Sequence, residues 1–238
     1  MKTTKTTKTT KALNVIEAKT GVIPPRIIKL EDIAGAEMEK RALEVALAGG
    51  HSLAILYNEG SHAPQLIQTA VRIAQEIGVP FHGLAHPWCG CGNYGSPKVE
   101  CRCSPRAIEA HLSKLAKRVG SFAIWIGASM PLARYMHIKG EPETDFMARV
   151  IKAKASPAPS ADLDAFCQDL IAAYVNTMSG RLSLPTLTTV KAIAQTIARM
   201  EGADKIQTQH LAEALQYQPH AVGGFREFIR PEQVEVKA

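Results

Sequence analysis

The stretch Ser52–Gly78, SLAILYNEGSHAPQLIQTAVRIAQEIG, constrains this chain most. Its first six residues, Ser52–Tyr57, are mostly apolar and read as a buried parallel strand. A short polar turn, Asn58–Pro64, follows. Leu66, Ala70, Ile73 and Ile77 then recur at helical spacing. Strand, glycine-containing turn and helix is the layout of a phosphate-binding loop. Such a loop needs flexible glycines, a lysine for the β- and γ-phosphates and a hydroxyl for Mg²⁺. Here only Gly60 and Ser61 suit it. Ala63 stands where the lysine belongs and Pro64 where the Ser or Thr belongs, and Glu59 adds negative charge facing any triphosphate. Asn58, Glu59, Gly60, Ser61 and His62 therefore read as the relic of a nucleotide loop.

The 238 residues suit one domain or two smaller ones. Aromatics make up 5%, so the core must rest on Ile, Leu, Val and Ala. No apolar run is long enough for a membrane span. The first residues, Met-Lys-Thr-Thr-Lys, carry no apolar h-region, so a cytoplasmic location without membrane partners is expected. Net charge is +6, and Lys2, Lys5, Lys8 and Lys11 of the period-three opening repeat supply much of it. Residues 1–20 read as a disordered basic tail, either a solubilising leader or an arm for nucleic acid.

Downstream of the tail, VIPPRIIK reads as extended, and a helix is expected over Ala36–Ala48, stopped by Gly49-Gly50. Val79-Pro80-Phe81 reads as the start of a second strand. Ala85–Pro105 is a cysteine-rich loop. Ser104-Pro105 suits the N-cap and first position of a helix over Pro105–Arg118. Ser121–Ala128 is a further strand candidate. Lys152–Ala161 reads as a proline-containing linker. Helices are expected over Leu163–Met178, Thr186–Glu201 and Thr208–Tyr217, with Gly202 closing the second and Thr208 capping the third. The tail after Pro219 reads as irregular, with a turn near Phe225–Ile229. The expected domains are a core over 21–151 and a helical unit over 163–218.

Cys89, Cys91, Cys101 and Cys103 form C-x-C-x₉-C-x-C. Four thiolates on one loop can hold a tetrahedral Zn²⁺, although structural zinc sites favour wider spacing than C-x-C. A free-thiol loop and redox chemistry are the alternatives, and His82 and His86 are substitute ligands. Cys167 stands alone and reads as core. His111, Lys114, Lys117 and Arg118 make one basic helix face, read as solvated surface or as a phosphate contact for nucleic acid. The other histidines show no H-E-x-x-H pattern.

Four segments resemble one family. Leu30–Leu56 (LEDIAGAEMEKRALEVALAGGHSLAIL) resembles the opening helix and first core strand of magnesium-chelatase-type AAA+ ATPases of the ComM-like competence branch. His86–Pro105 (HPWCGCGNYGSP…CRCSP) resembles their cysteine loop, and Ile108–Leu115 the helix after it. Leu182–Tyr217 is similar to their lid helices. The resemblance implies a parallel α/β core followed by an all-α lid. It also implies ATP-handling residues that this chain lacks. The longer family core between the first helix and the cysteine loop, with its acidic Walker B strand, is missing. The sensor asparagine falls on His86. The arginine-finger segment falls on Ala116–Ile124, which has no equivalent of the family's DRID, and the lid arginine falls on Pro185. One arginine finger alone is worth about 10³–10⁵ in rate.

The expectation is a trimmed α/β core with a C-terminal helical lid and no catalytic residues. It is that of a non-hydrolysing relative in a structural or regulatory role. Zinc is the candidate metal, and neither ATP nor Mg²⁺ is expected as a working cofactor. A protein partner or self-association is expected to cover an exposed sheet edge. A metal-stabilised nucleic-acid binder and a weakly active nucleotide-binding protein are the alternatives.

Overall fold

The computed structural model describes residues 28–96, 98–128, 139–177 and 184–222. The expectations for the basic tail and for Phe225–Ile229 lie outside them.

Three parallel strands form the centre: β1 (Leu53–Tyr57), β2 (Gly83–Pro87) and β3 (Ile124–Ala128), in the order β2-β1-β3. Leu53 is level with Gly83 on one side and Ile124 on the other. Side chains alternate across the sheet, as the pleat demands. Leu53, Ile55, Ile124 and Ile126 enter one core, whereas Ala54, Leu56, Leu84 and Trp125 enter a second. Burial on both faces explains the unbroken apolar run of β1, in which Leu53, Ile55 and Leu56 each contribute about 1.5–3 kcal/mol.

Helices α1 (Glu37–Gly49) and α2 (Ala63–Glu76) build the first core. Helix α3 (Pro105–Ala116) and the cysteine loop cover the other face through Ile108, Leu112, Leu115 and Cys89. Ser104 caps α3 as expected, accepting from the Ala107 N–H at 3.3 Å.

Helices α4 (Glu143–Ala155), α5 (Ala165–Thr177), α6 (Leu184–Met200) and α7 (Thr208–Gln216) complete the fold. Val190, Ile193, Ile197, Leu211 and Leu215 share the core with Leu43, Leu47 and Ile124.

Four expectations are corrected. Val79–Phe81 does not open the second strand, which starts at Gly83, because the Phe81 ring folds back over that glycine. A Cβ there would lie 2.6 Å from the ring. Lys152–Ala155 are the last turn of α4, not linker. Arg118 lies beyond α3, whose last residue is Ala116. Helix α7 is capped by Gln207 in a reciprocal pair with His210, so Thr208 is its first residue and not its cap.

The two sheet edges differ. On the β3 side the Trp125 N–H donates to the Tyr217 carbonyl at 2.8 Å, so the segment after α7 closes that edge. On the β2 side His82 and Trp88 bond β1, which turns Gly83, Ala85 and Pro87 outward. Phe81 guards one end of this edge. Pro87 guards the other, lacking an N–H and having its carbonyl taken by His86 Nδ1 at 2.8 Å and His111 Nε2 at 2.9 Å.

Candidate functional site

The loop after β1 and the cysteine loop after β2 leave the same end of the sheet and touch. Parallel pairing of β1 with β2 brings their C-terminal ends side by side, which is where open α/β sheets place their sites. Trp88 N–H donates to the Tyr57 carbonyl at 3.0 Å, and Glu59 N–H donates to the Gly92 carbonyl at 2.8 Å. Gly92 holds φ near +77°, and a Cβ on it would sit 3.0 Å from the Glu59 carboxylate. Glycine is thus the residue that permits this contact.

The β1 loop is folded on itself. Asn58 and Ser61 are buried. Ser61 N–H donates to the Asn58 carbonyl at 3.0 Å and Ala63 N–H to the Ser61 hydroxyl at 3.4 Å. With Glu59 committed to Gly92 and Pro64 lacking an N–H, the backbone donors that would cradle a phosphate are largely engaged within the protein. His62 precedes α2 without a side-chain cap. Burial, and then the nearby Lys40 charge, hold its imidazole below the usual range. Lys40 does not serve as a substitute phosphate lysine. It is buried with its ammonium on the Ile33 carbonyl at 2.7 Å.

The four loop cysteines converge. Every pair of their Sγ atoms lies within 4.8 Å. Cys89 is 3.4 Å from Cys91 and 3.6 Å from Cys101, and Cys91 is 3.6 Å from Cys101. None is in a disulfide. Cys89 is buried against Leu84, Ile108 and Leu112, and the other three are half-buried on that core. Amide donors surround the sulfurs. Tyr94 N–H points at Cys89 Sγ from 3.3 Å, and the N–H groups of Asn93 and Arg102 lower the Cys91 thiol to about 6. These four residues could hold a metal ion such as zinc.

The histidines near the loop are engaged elsewhere. His86 and His111 face each other at 4.6 Å between ring centroids, both donating to Pro87. Burial and then His111 push the His86 imidazole down to about 4. His82 stacks on Phe122. The expected basic face on α3 is divided in the same way. Lys114 and Lys117 are exposed, His111 turns to Pro87, and Arg118 sits over the Phe122 ring at 5.6 Å.

Charged pairs add to the apolar contact where the C-terminal helices meet the core. Arg41 of α1 makes a two-pronged contact with Glu213 of α7, at 2.9 and 3.2 Å. It also approaches Glu44 and Glu201 at 3.6 Å each. Arg149 of α4 bridges Glu44 and Glu141. A cleft of about 240 Å³ opens beside these groups, lined also by Lys152 and Arg199. Its arginines already serve carboxylates or, for Arg199, the Ala48 carbonyl. Glu143 was not singled out in the sequence. It accepts from Leu30 N–H and Arg72, tying the opening segment and α2 to α4.

Residues 145–218 match a family model, the C-terminal region of magnesium chelatase subunit ChlI. The match covers α4 to α7 and supports a magnesium-chelatase-like relative. It starts within α4, a helix that sequence reasoning left unassigned, although Glu143 and Asp145 at its start and Lys152 and Lys154 at its end follow the helix dipole. No curated protein matches the chain.

Proposed function

We propose that this chain is a non-hydrolysing relative of the magnesium-chelatase and ComM-like AAA+ proteins, acting in a structural or regulatory role. The observation that carries the reading is the closed loop Asn58–His62. Its Glu59 amide is bonded to the cysteine loop, and Ala63 and Pro64 occupy the lysine and hydroxyl positions. Phosphoryl transfer relies on positioned positive charge around the γ-phosphate. Around this loop stand Glu59, a neutral-leaning His62 and a Lys40 fixed on Ile33. The β2 edge and the exposed side of the lid are the surfaces offered to a protein partner. The lid match makes a subunit of the same family the natural class of partner.

The test is calorimetry with Mg·ATP followed by phosphate release on the same sample. The expected result is no phosphate above background and no binding heat at micromolar protein. Replacing Ala63→Lys together with Pro64→Thr should restore little, because the Glu59–Gly92 bond still closes the loop. Steady release by the unaltered chain would overturn the proposal.

A further inference from the structure

We propose that Cys89, Cys91, Cys101 and Cys103 bind one zinc ion, and that this centre is a clasp holding the loop Asn58–His62 shut against the cysteine loop. Four thiolates at the corners of a tetrahedron around Zn²⁺, with Zn–S near 2.3 Å, stand about 3.8 Å apart. The observed separations of 3.4, 3.6 and 3.6 Å, with every pair within 4.8 Å, bracket that value. Two disulfides would draw the sulfurs together in pairs at about 2.0 Å, and no pair here stands apart from the others in that way. An iron–sulfur cluster needs its thiolates spread around several irons, which this spacing does not allow. The narrow C-x-C spacing is accommodated because two separate C-x-C turns contribute two sulfurs each. One ligand sulfur also has an amide donor aimed at it, the Tyr94 N–H at 3.3 Å from Cys89 Sγ.

The second half of the proposal follows from where the clasp attaches. Gly92 lies between the ligand Cys91 and Tyr94, whose N–H points at Cys89 Sγ, and its carbonyl takes the Glu59 amide. Its own N–H donates to the Cys89 carbonyl at 3.0 Å, so the residue bonded to the β1 loop belongs to the ligand turn itself. Four ligands on a loop with three glycines in that turn give it a shape that the backbone alone does not impose. Metal occupancy therefore sets whether Glu59 stays bonded. This inference adds to the reading of a closed loop and names what closes it.

The experiment uses the full chain purified without chelator. Elemental analysis should give about one zinc per chain, and cobalt exchange should give the visible bands of tetrahedral thiolate coordination. Hydrogen exchange is then compared before and after zinc removal with a strong chelator. The Glu59 and Trp88 amides should exchange roughly 10-fold faster or more without metal, while the Leu211 amide of the lid keeps its protection. Gly92→Ala should retain its zinc yet loosen the Glu59 amide. Cys103→Ser should lose the metal. Less than about 0.2 zinc per chain after reconstitution, or one iron in its place, would overturn the metal assignment. Zinc bound with unchanged Glu59 exchange, or a loss of protection across the whole chain, would overturn the clasp. Phosphate release would sink the proposed function and leave the zinc count standing, so the two failures are distinguishable.

Discussion

Single side chains show how this protein handles buried polarity. His51 follows α1 and places Nε2 2.9 Å from the Thr196 hydroxyl of α6. Burial, and then the Arg199 charge, push its imidazole down to about 4. The unfolded chain takes up a proton near the ordinary histidine value of about 6.5, whereas the folded chain resists it to about 4. His51 thus contributes stability that is present above pH 6.5 and lost as pH falls towards 4. Thermal midpoints measured from pH 7.5 to 4.5 should fall, and His51→Gln, which can keep a bond to Thr196, should show a shallower fall. Identical slopes would remove His51 from that role. His210 is the contrast. Its Nδ1 accepts the Gln207 N–H at the cap of α7, and its Nε2 meets Glu201, just beyond α6, at 3.0 Å. A sequence shows where such histidines are, but not that each is committed to a neighbour distant in the chain.

At the level of elements, the Arg41–Glu213 pair joins α1 to α7 with a two-pronged contact, and Tyr217 Oη donates to the same Glu213 at 2.7 Å. Arg41 is about a third exposed, so part of its charge energy is screened. Arg41→Ala removes the donor and leaves Glu213 facing Glu44 and Glu201 without it, which should cost about 1–3 kcal/mol. The double variant Arg41→Ala with Glu213→Ala should be less destabilised than the sum of the singles when both are read by denaturant titration. Strict additivity would mean that the pair does not couple lid to core.

Legibility also divides by element. The strands β1 and β3, the helices α1, α2, α3, α6 and α7 and the Ser104 cap were readable, because local periodicity and turn residues agree with the final packing. Helix α4 was missed. Its Phe146, Val150 and Ala153 are spaced for one face, but small and charged residues dilute the pattern, and its anchor Glu143 is fixed by Leu30 and Arg72 far along the chain. The cysteine grouping was visible as spacing. The convergence of the four sulfurs was not, because two C-x-C turns must be folded together to produce it.

Among the described residues, the molecule is organised around a sheet of three strands, one edge of which is closed by the segment after α7. The first core runs without a break from Leu30 and α1 through β1 and β3 to Val190, Ile193, Leu211 and Tyr217. A lid attached by surface charge alone would separate from the core as temperature rises. A lid whose apolar residues complete the core cannot leave without exposing Leu43, Leu47 and Ile124 to water, at about 25 cal/mol for each Å² uncovered. Trp125 reinforces the point, since its amide is bonded to Tyr217 and its ring is fully buried. The two tryptophans lie on the sheet side, Trp125 in β3 and Trp88 beside the cysteine loop, whereas much of the helical signal arises from α4 to α7. Tryptophan fluorescence therefore reports the core, and far-ultraviolet circular dichroism reports the lid in large part. The expected outcome is coincident unfolding curves by both probes, with one calorimetric transition. A helical transition that precedes the fluorescence change by several degrees would show a lid that melts alone, and the shared core would then not be the feature that holds the molecule together.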